Sequence, residues 1–278
     1  MHTLPATAKL FTVSTSDGRL SAVRSTPPGG SDAAKGIAVL VPGYTGSKED
    51  FVPMLSGLTE AGYDVLTYSQ LGQWKSEGPD RAEDYTVDAF ATGLLEVLDA
   101  TAPGERVHLV GHSFGGLVTR AAVIREPHRF RSYTILCSGP GGATVTGPAG
   151  PTLEEAIIAE GSAGAWRFLE PFFAAGQPEA VVTYLRTRIH ETNPANLLGI
   201  GRAIAAEPDR VEELRAAGVP ILVAHGEHDA AWPPEAQRDM ATRLGARYEV
   251  IAGAGHTPNE EKPEVTARLF TDFWAEAG

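Results

Sequence analysis

The sequence predicts an α/β protein: a mostly parallel, eight-stranded sheet flanked by helices, with a helical insertion after the sixth strand. Three observations carry this. Short apolar, β-branched runs alternate with helix-length stretches along most of the 278 residues, and such alternation implies right-handed crossovers between parallel strands. The run Gly36–Val41 (GIAVLV) is continuously apolar, as a strand buried on both faces must be. Between 139 and 218 strand-like runs give way to helical patterns, so one block interrupts the sheet.

The elements follow in order. Lys9–Ser14 and Arg19–Arg24 read as strands, and Asp17-Gly18 between them is a hairpin signal that predicts an antiparallel edge. Pro27–Lys35 is turn-rich and reads as a surface loop. After GIAVLV a helix is expected over Lys48–Ala61, a strand over Asp64–Tyr68, a helix over Val87–Ala100, a strand over Arg106–Val110, a helix over Phe114–Arg125 and a strand over Ser132–Cys137. The insertion offers helices at Leu153–Glu160, Ala165–Ala174, Glu179–His190, Pro194–Ala206 and Asp209–Ala216; Val181–Tyr184 is strand-like but lies inside a helical pattern. The sheet resumes at Pro220–Ala224, followed by a helix over Pro234–Leu244, a strand over Arg247–Ile251 and a last helix over Pro263–Ala275. The expected organisation is a core made of 1–138 and 219–278, with 139–218 as a helical lid over the carboxyl edge of the sheet, where open α/β sheets bind ligands.

Composition narrows the function. Apolar residues make up 42% and charged residues 21%, ordinary for a soluble globular protein. Net charge is −12, which disfavours phosphate backbones and anionic lipid, so neither nucleic acid nor a membrane is an expected partner. The single cysteine, Cys137, excludes an intramolecular disulfide and fits a reducing compartment. Residues 1–20 lack a basic segment followed by an apolar one, and no stretch approaches 18 uninterrupted apolar residues, so the expected location is the cytoplasm. The oligomeric state is left open.

The chemistry concentrates in Gly111-His112-Ser113-Phe114-Gly115. This G-x-S-x-G follows a strand-like run and opens a helix-like one, the context of a nucleophile elbow. Serine is a weak nucleophile near neutral pH and needs a base to take its proton. His256, in Gly253-Ala254-Gly255-His256-Thr257-Pro258, stands in a loop between the last strand and the last helix. Asp229, in Gly226-Glu227-His228-Asp229-Ala230-Ala231-Trp232-Pro233, follows the seventh strand, with Glu227 a rival carboxylate two residues earlier.

With these residues in this order the chain resembles the α/β-hydrolase family, of the lidded serine-esterase type, from about Lys9 to Trp274. The resemblance implies Ser113 as nucleophile, His256 as base and Asp229 as the acid that orients it. The region after the sixth strand, where some members carry the acid, reads Ser138-Gly139-Pro140 and holds no carboxylate. An oxyanion hole is implied from the backbone N–H groups of Phe114 and of Tyr44, the latter in Pro42-Gly43-Tyr44-Thr45-Gly46, where the family often has His-Gly. A second departure is Ser69-Gln70-Leu71-Gly72-Gln73-Trp74-Lys75-Ser76, where the family often has an Asp and a G-x-S.

The activity implied is hydrolysis of a small or medium, mainly apolar carboxylic ester through an acyl-enzyme on Ser113, with no cofactor and no metal. Lactone, thioester, amide or carbon–carbon bond hydrolysis and acyl transfer share the machinery. A small-molecule receptor without turnover is the alternative of a different class. His112, Trp74, Trp166, Phe172 and Trp232 are the candidates for substrate contact, and an aromatic lid is the basis for expecting an apolar substrate. His225-x-x-His228-Asp229 lacks the further converging ligands that a metal site needs. Cys137 reads as a small buried hydrophobe.

Overall fold

The computed structural model describes residues 3–142 and 152–278. The stretch 143–151 of the expected lid lies outside the described residues. Eight strands form one sheet in the order β1-β2-β4-β3-β5-β6-β7-β8. They are β1 (Ala8–Thr15), β2 (Gly18–Ser25), β3 (Ile37–Val41), β4 (Asp64–Tyr68), β5 (Val107–His112), β6 (Phe130–Leu136), β7 (Ile221–Gly226) and β8 (Arg247–Ile251). From β4 to β8 all neighbours are parallel; β2 joins β4 antiparallel and pairs with β1 as a hairpin at the edge. The hairpin turn is Ser16-Asp17, one residue earlier than Asp17-Gly18 suggests, because Thr15 pairs with Gly18. Gly18 has φ 140° and a Cβ there would stand 2.8 Å from that of Glu77, so glycine serves close approach as well as chirality.

The period of two in β3 sorts its side chains between two layers. Val39 and Val41 join the core under α2 (Val87–Thr101), α3 (Phe114–Arg125) and α8 (Pro234–Leu244). Ala38 and Leu40 join the opposite core, under α1 (Leu55–Glu60) and the C-terminal helix. The valine and leucine side chains fully buried this way each contribute about 1.5–3 kcal/mol of transfer free energy.

The expected helix at 48–61 is instead a 3-10 segment, Lys48–Met54, running into α1. Pro53 lies inside the segment, and proline there has no N–H to give an α-helical ladder.

Between β6 and β7 come α4 (Leu153–Phe173), α5 (Glu179–His190), α6 (Pro194–Ala206) and α7 (Val211–Ala216). Gly161, at φ 61° and ψ −141°, breaks α4, so its two halves match the two helices expected there. The helix expected from Asp209 starts at Val211, with the Asp209 carboxylate accepting the Val211 N–H. Val181–Tyr184 lies within α5. The insertion has its own small core of Ile157, Ala165, Trp166, Ile189 and Leu197. After β8 a short α9 (Pro258–Glu261) leads into α10 (Pro263–Ala277).

Candidate active site

Ser113 stands where β5 ends and α3 begins, at φ 53° and ψ −121°. That conformation costs a non-glycine residue of order 1–3 kcal/mol, a strain that persists only where the surroundings enforce it. Here they do. A Cβ on Gly111 would come within 2.1 Å of Thr119 Oγ1, and one on Gly115 within 2.4 Å of the Val41 carbonyl. The two glycines let strand, turn and helix pack at backbone contact, and the turn lifts the serine Oγ out of the sheet.

The carboxyl ends of β5, β7 and β8 then converge on three side chains. Ser113 Oγ lies 3.0 Å from His256 Nε2, and His256 Nδ1 lies 2.9 Å from Asp229 Oδ1. Asp229 has no exposed side-chain surface, whereas the His256 ring is 29% exposed. Burial alone would raise the Asp229 carboxyl, but hydrogen bonds from His256, the Trp232 N–H and Gln237 hold it below the usual carboxylate range. An ionised Asp229 makes Nδ1 the protonated nitrogen of His256 and leaves Nε2 to accept the Ser113 hydroxyl. Glu227, the rival, turns away and accepts the Gly253 N–H at 2.9 Å.

The loop after β3 lies directly over the serine: a Cβ on Gly43 would meet Ser113 Cβ at 2.9 Å. Phe114 is the first residue of α3, so its N–H has no intrahelical acceptor. Tyr44 carries the other proposed donor, and its hydroxyl donates to the Leu197 carbonyl at 2.8 Å, tying this loop to α6.

The remaining sequence candidates divide. His112 sits beside the three: its Nε2 is 2.8 Å from the His256 carbonyl, and burial, followed by the charge of His256, pushes its pKa down to about 3. Trp232 is 5% exposed, its ring against Gly139 and its main-chain N–H on Asp229, so it holds that carboxylate from within the core. Trp74 donates its indole N–H to Glu191 at 2.6 Å and stands edge-on to Tyr184, joining the loop after β4 to the insertion. Trp166 lies within the core of the insertion. Phe172 is 59% exposed and packs beside Phe168. Within α4, Trp166 is thus packed in the core of the insertion, against which Tyr44 also rests, and Phe172 lies at its surface.

His225 and His228 do not converge: His225 is hydrogen-bonded to the Tyr248 hydroxyl and the Gly226 carbonyl, and His228 is exposed. His112, Cys137 and His256 bring three donor atoms within 4.8 Å of one another. Both His256 nitrogens are engaged by Ser113 and Asp229, and burial raises the Cys137 thiol well above its ordinary pKa. A neutral thiol and an engaged imidazole make a poor metal site.

Residues 38–269 match the alpha/beta hydrolase family. The chain belongs to it. Among its relatives, a protein of Bacillus subtilis (strain 168) described as the uncharacterized carboxylesterase nap is 28% identical, covering 99% of this chain and 89% of that one. A 2-hydroxymuconate semialdehyde hydrolase from Pseudomonas sp. (strain CF600) is 30% identical, covering 77% of each chain. The crystal structure of an enol-lactonase from Burkholderia xenovorans LB400 superposes with a TM-score of 0.81 at 22% identity, over 95% of this chain and all of that one. That last likeness is one of fold.

In this alpha/beta hydrolase several supporting residues escaped the sequence. Gln237 donates to both Asp229 Oδ2 and the Trp232 carbonyl. Glu261 accepts the N–H groups of Gly255 and Thr257, on either side of His256. Burial pushes the Glu261 carboxyl up, but these bonds outweigh it and hold the group ionised. Arg120, on α3, reaches the carbonyls of Pro140 and Pro208 and the carboxylate of Glu207, so it grips both connectors of the insertion. None of these contacts has a local sequence signature. No helix among the described residues is long and apolar enough to cross a membrane.

Proposed function

We propose that this alpha/beta hydrolase is a serine hydrolase that cleaves a small or medium carboxylic ester through an acyl-enzyme. The observation that carries the reading is the unbroken chain of hydrogen bonds from Ser113 Oγ through His256 to Asp229, at 3.0 and 2.9 Å. Ser113 Oγ attacks the ester carbonyl carbon while its proton passes to His256 Nε2. Asp229 stabilises the imidazolium. The carbonyl oxygen becomes an oxyanion held by the Tyr44 and Phe114 N–H groups, each worth about 3–4 kcal/mol of barrier. Collapse expels the alcohol, which takes the proton from His256. A water molecule then gives its proton to His256 and attacks the acyl carbon, and the carboxylic acid departs as Ser113 regains its proton. The helical insertion, tied to the oxyanion loop through Tyr44 and Leu197, is read as a lid.

The test is intact-protein mass spectrometry after exposure to a fluorophosphonate, with Ser113→Ala alongside. One adduct, lost in the variant, is expected. Turnover is then compared across p-nitrophenyl esters, thioesters, lactones, amides and diketones. A Ser113→Ala variant that keeps wild-type ester turnover would sink the proposal.

A further inference from the structure

The loop that departs from the family pattern, Ser69 to Ser76, is bound to the oxyanion loop by two buried glutamines. Gln70 Nε2 donates to the Pro42 carbonyl at 2.8 Å, and Gln73 Nε2 donates to the Gly43 carbonyl at 2.7 Å. Both side chains are all but fully buried, at 1% and 0% exposure. The Gln73 amide is itself fixed, since its Oε1 accepts the Gln70 N–H at 2.9 Å. Its NH₂ group is thereby the end presented to Gly43.

The Gly43 carbonyl and the Tyr44 N–H are the two ends of one trans peptide group. They point in opposite directions, and one cannot turn without the other. Gly43 is the residue at which this group is easiest to turn over, because glycine places no Cβ in the way of the rotation. A turned-over peptide would present a carbonyl where the Tyr44 N–H belongs. It would also leave the Gln73 amide buried without its acceptor, which is costly. Donation to the carbonyl further polarises the peptide and strengthens its N–H as a donor.

We infer that Gln73 is a positioning residue for the oxyanion hole: it sets and holds the Gly43–Tyr44 peptide so that the Tyr44 N–H faces the reacting carbonyl oxygen. The inference rests on the reading of Tyr44 as an oxyanion donor. Gln70 is the built-in comparison, because it holds the preceding carbonyl, whose peptide partner is the Gly43 N–H. Losing Gln70 disturbs the same two loops without releasing the Tyr44 N–H.

The experiment compares Gln73→Met and Gln70→Met on a p-nitrophenyl ester and against a phenylboronic acid, whose adduct with serine is tetrahedral. For Gln73→Met, kcat is expected to fall about 10- to 100-fold, with KM within about threefold, since the interaction lost is made in the transition state. Boronate affinity should fall in step with kcat/KM. Gln70→Met should lose at least about tenfold less kcat than Gln73→Met. Equal losses in the two variants, or wild-type kcat in Gln73→Met, would overturn the inference.

Should neither methionine variant fold, Gln73→Glu carries the test. Its carboxyl can donate to Gly43 only when protonated, so the ratio of its kcat to that of wild type should fall as pH rises. A flat ratio would overturn the inference. Full turnover in Ser113→Ala would instead remove the reading beneath it, whatever the glutamine variants do.

Discussion

His112 donates its Nε2–H to the main-chain carbonyl of His256, at 2.8 Å, so the residue before Ser113 holds the backbone of the proposed base. The two rings stand 5.0 Å apart. With burial pushing its pKa down to about 3, His112 is neutral near pH 7. The bond fixes the second loop of the site to the first, and 143 residues separate the His256 and Ser113 side chains it brings into register.

Replacing His112 with leucine should therefore lower kcat by about tenfold and leave KM nearly unchanged, the pattern of a geometric loss felt in the transition state. Steady-state kinetics on a p-nitrophenyl ester would check it. A kcat equal to wild type would mean that His256 is held well enough from its other side.

That other side is Glu261, whose carboxylate accepts the Gly255 and Thr257 N–H groups at 2.7 and 2.9 Å. The group is largely exposed, so solvent weakens its contribution, and Glu261→Ala should cost about 1 kcal/mol of stability. Its effect on kcat should exceed what that figure suggests, because a loosened His256 spends less time in line with Ser113. Combined with His112→Leu, the losses should be more than additive, as for two supports of one loop. Strict additivity in kcat/KM would show that the two supports act independently.

What could be read in the sequence is what is local. The elbow, the loop of Asp229 and the loop of His256 each declare themselves within a few residues, and α3, α8, β4 and β8 have the bounds their patterns suggest. The break at Pro53 was visible as a residue type, yet the helical spacing of Lys48–Ala61 hid it. The supports that join separate elements were illegible because their partners are distant: Gln73 and Gly43 are 30 residues apart, Arg120 and Glu207 are 87. Trp166 and Phe172 read alike in the sequence, since aromatic spacing does not separate the core of an insertion from its outer face.

Arg120 predicts how the insertion is attached. Its guanidinium holds the carbonyls of Pro140 and Pro208 and the carboxylate of Glu207, and the two connectors are themselves paired by Gly142 N–H to the Glu207 carbonyl at 2.7 Å. Arg120→Met would leave Glu207 buried without a cation, a loss of about 3–5 kcal/mol. Urea denaturation should register it. Limited proteolysis should show new cutting at the connectors before the sheet is attacked. Cutting confined to other segments would show that the connectors hold without the arginine.

A last prediction concerns pH and the far end of the insertion. Arg188, on α5, forms a buried ion pair with Asp50 in the 3-10 segment Lys48–Met54, and Glu260 lies beside both. Burial, together with the charge of Asp50, pushes the Glu260 carboxyl from its ordinary 4.5 up to about 7. The folded protein thus holds a proton there that the unfolded chain releases near 4.5. Glu260 contributes stability that is complete below that pH, declines as pH rises through the window and is gone above about 7, at up to about 1.4 kcal/mol per pH unit. Between pH 5 and 8 the wild type should lose stability relative to Glu260→Gln, which mimics the protonated acid and does not titrate. Urea midpoints for the two proteins should diverge as pH rises from 5 to about 7 and keep a constant gap above it. Parallel curves would mean that Glu260 is ionised in the folded protein, with Arg188 shared between two carboxylates.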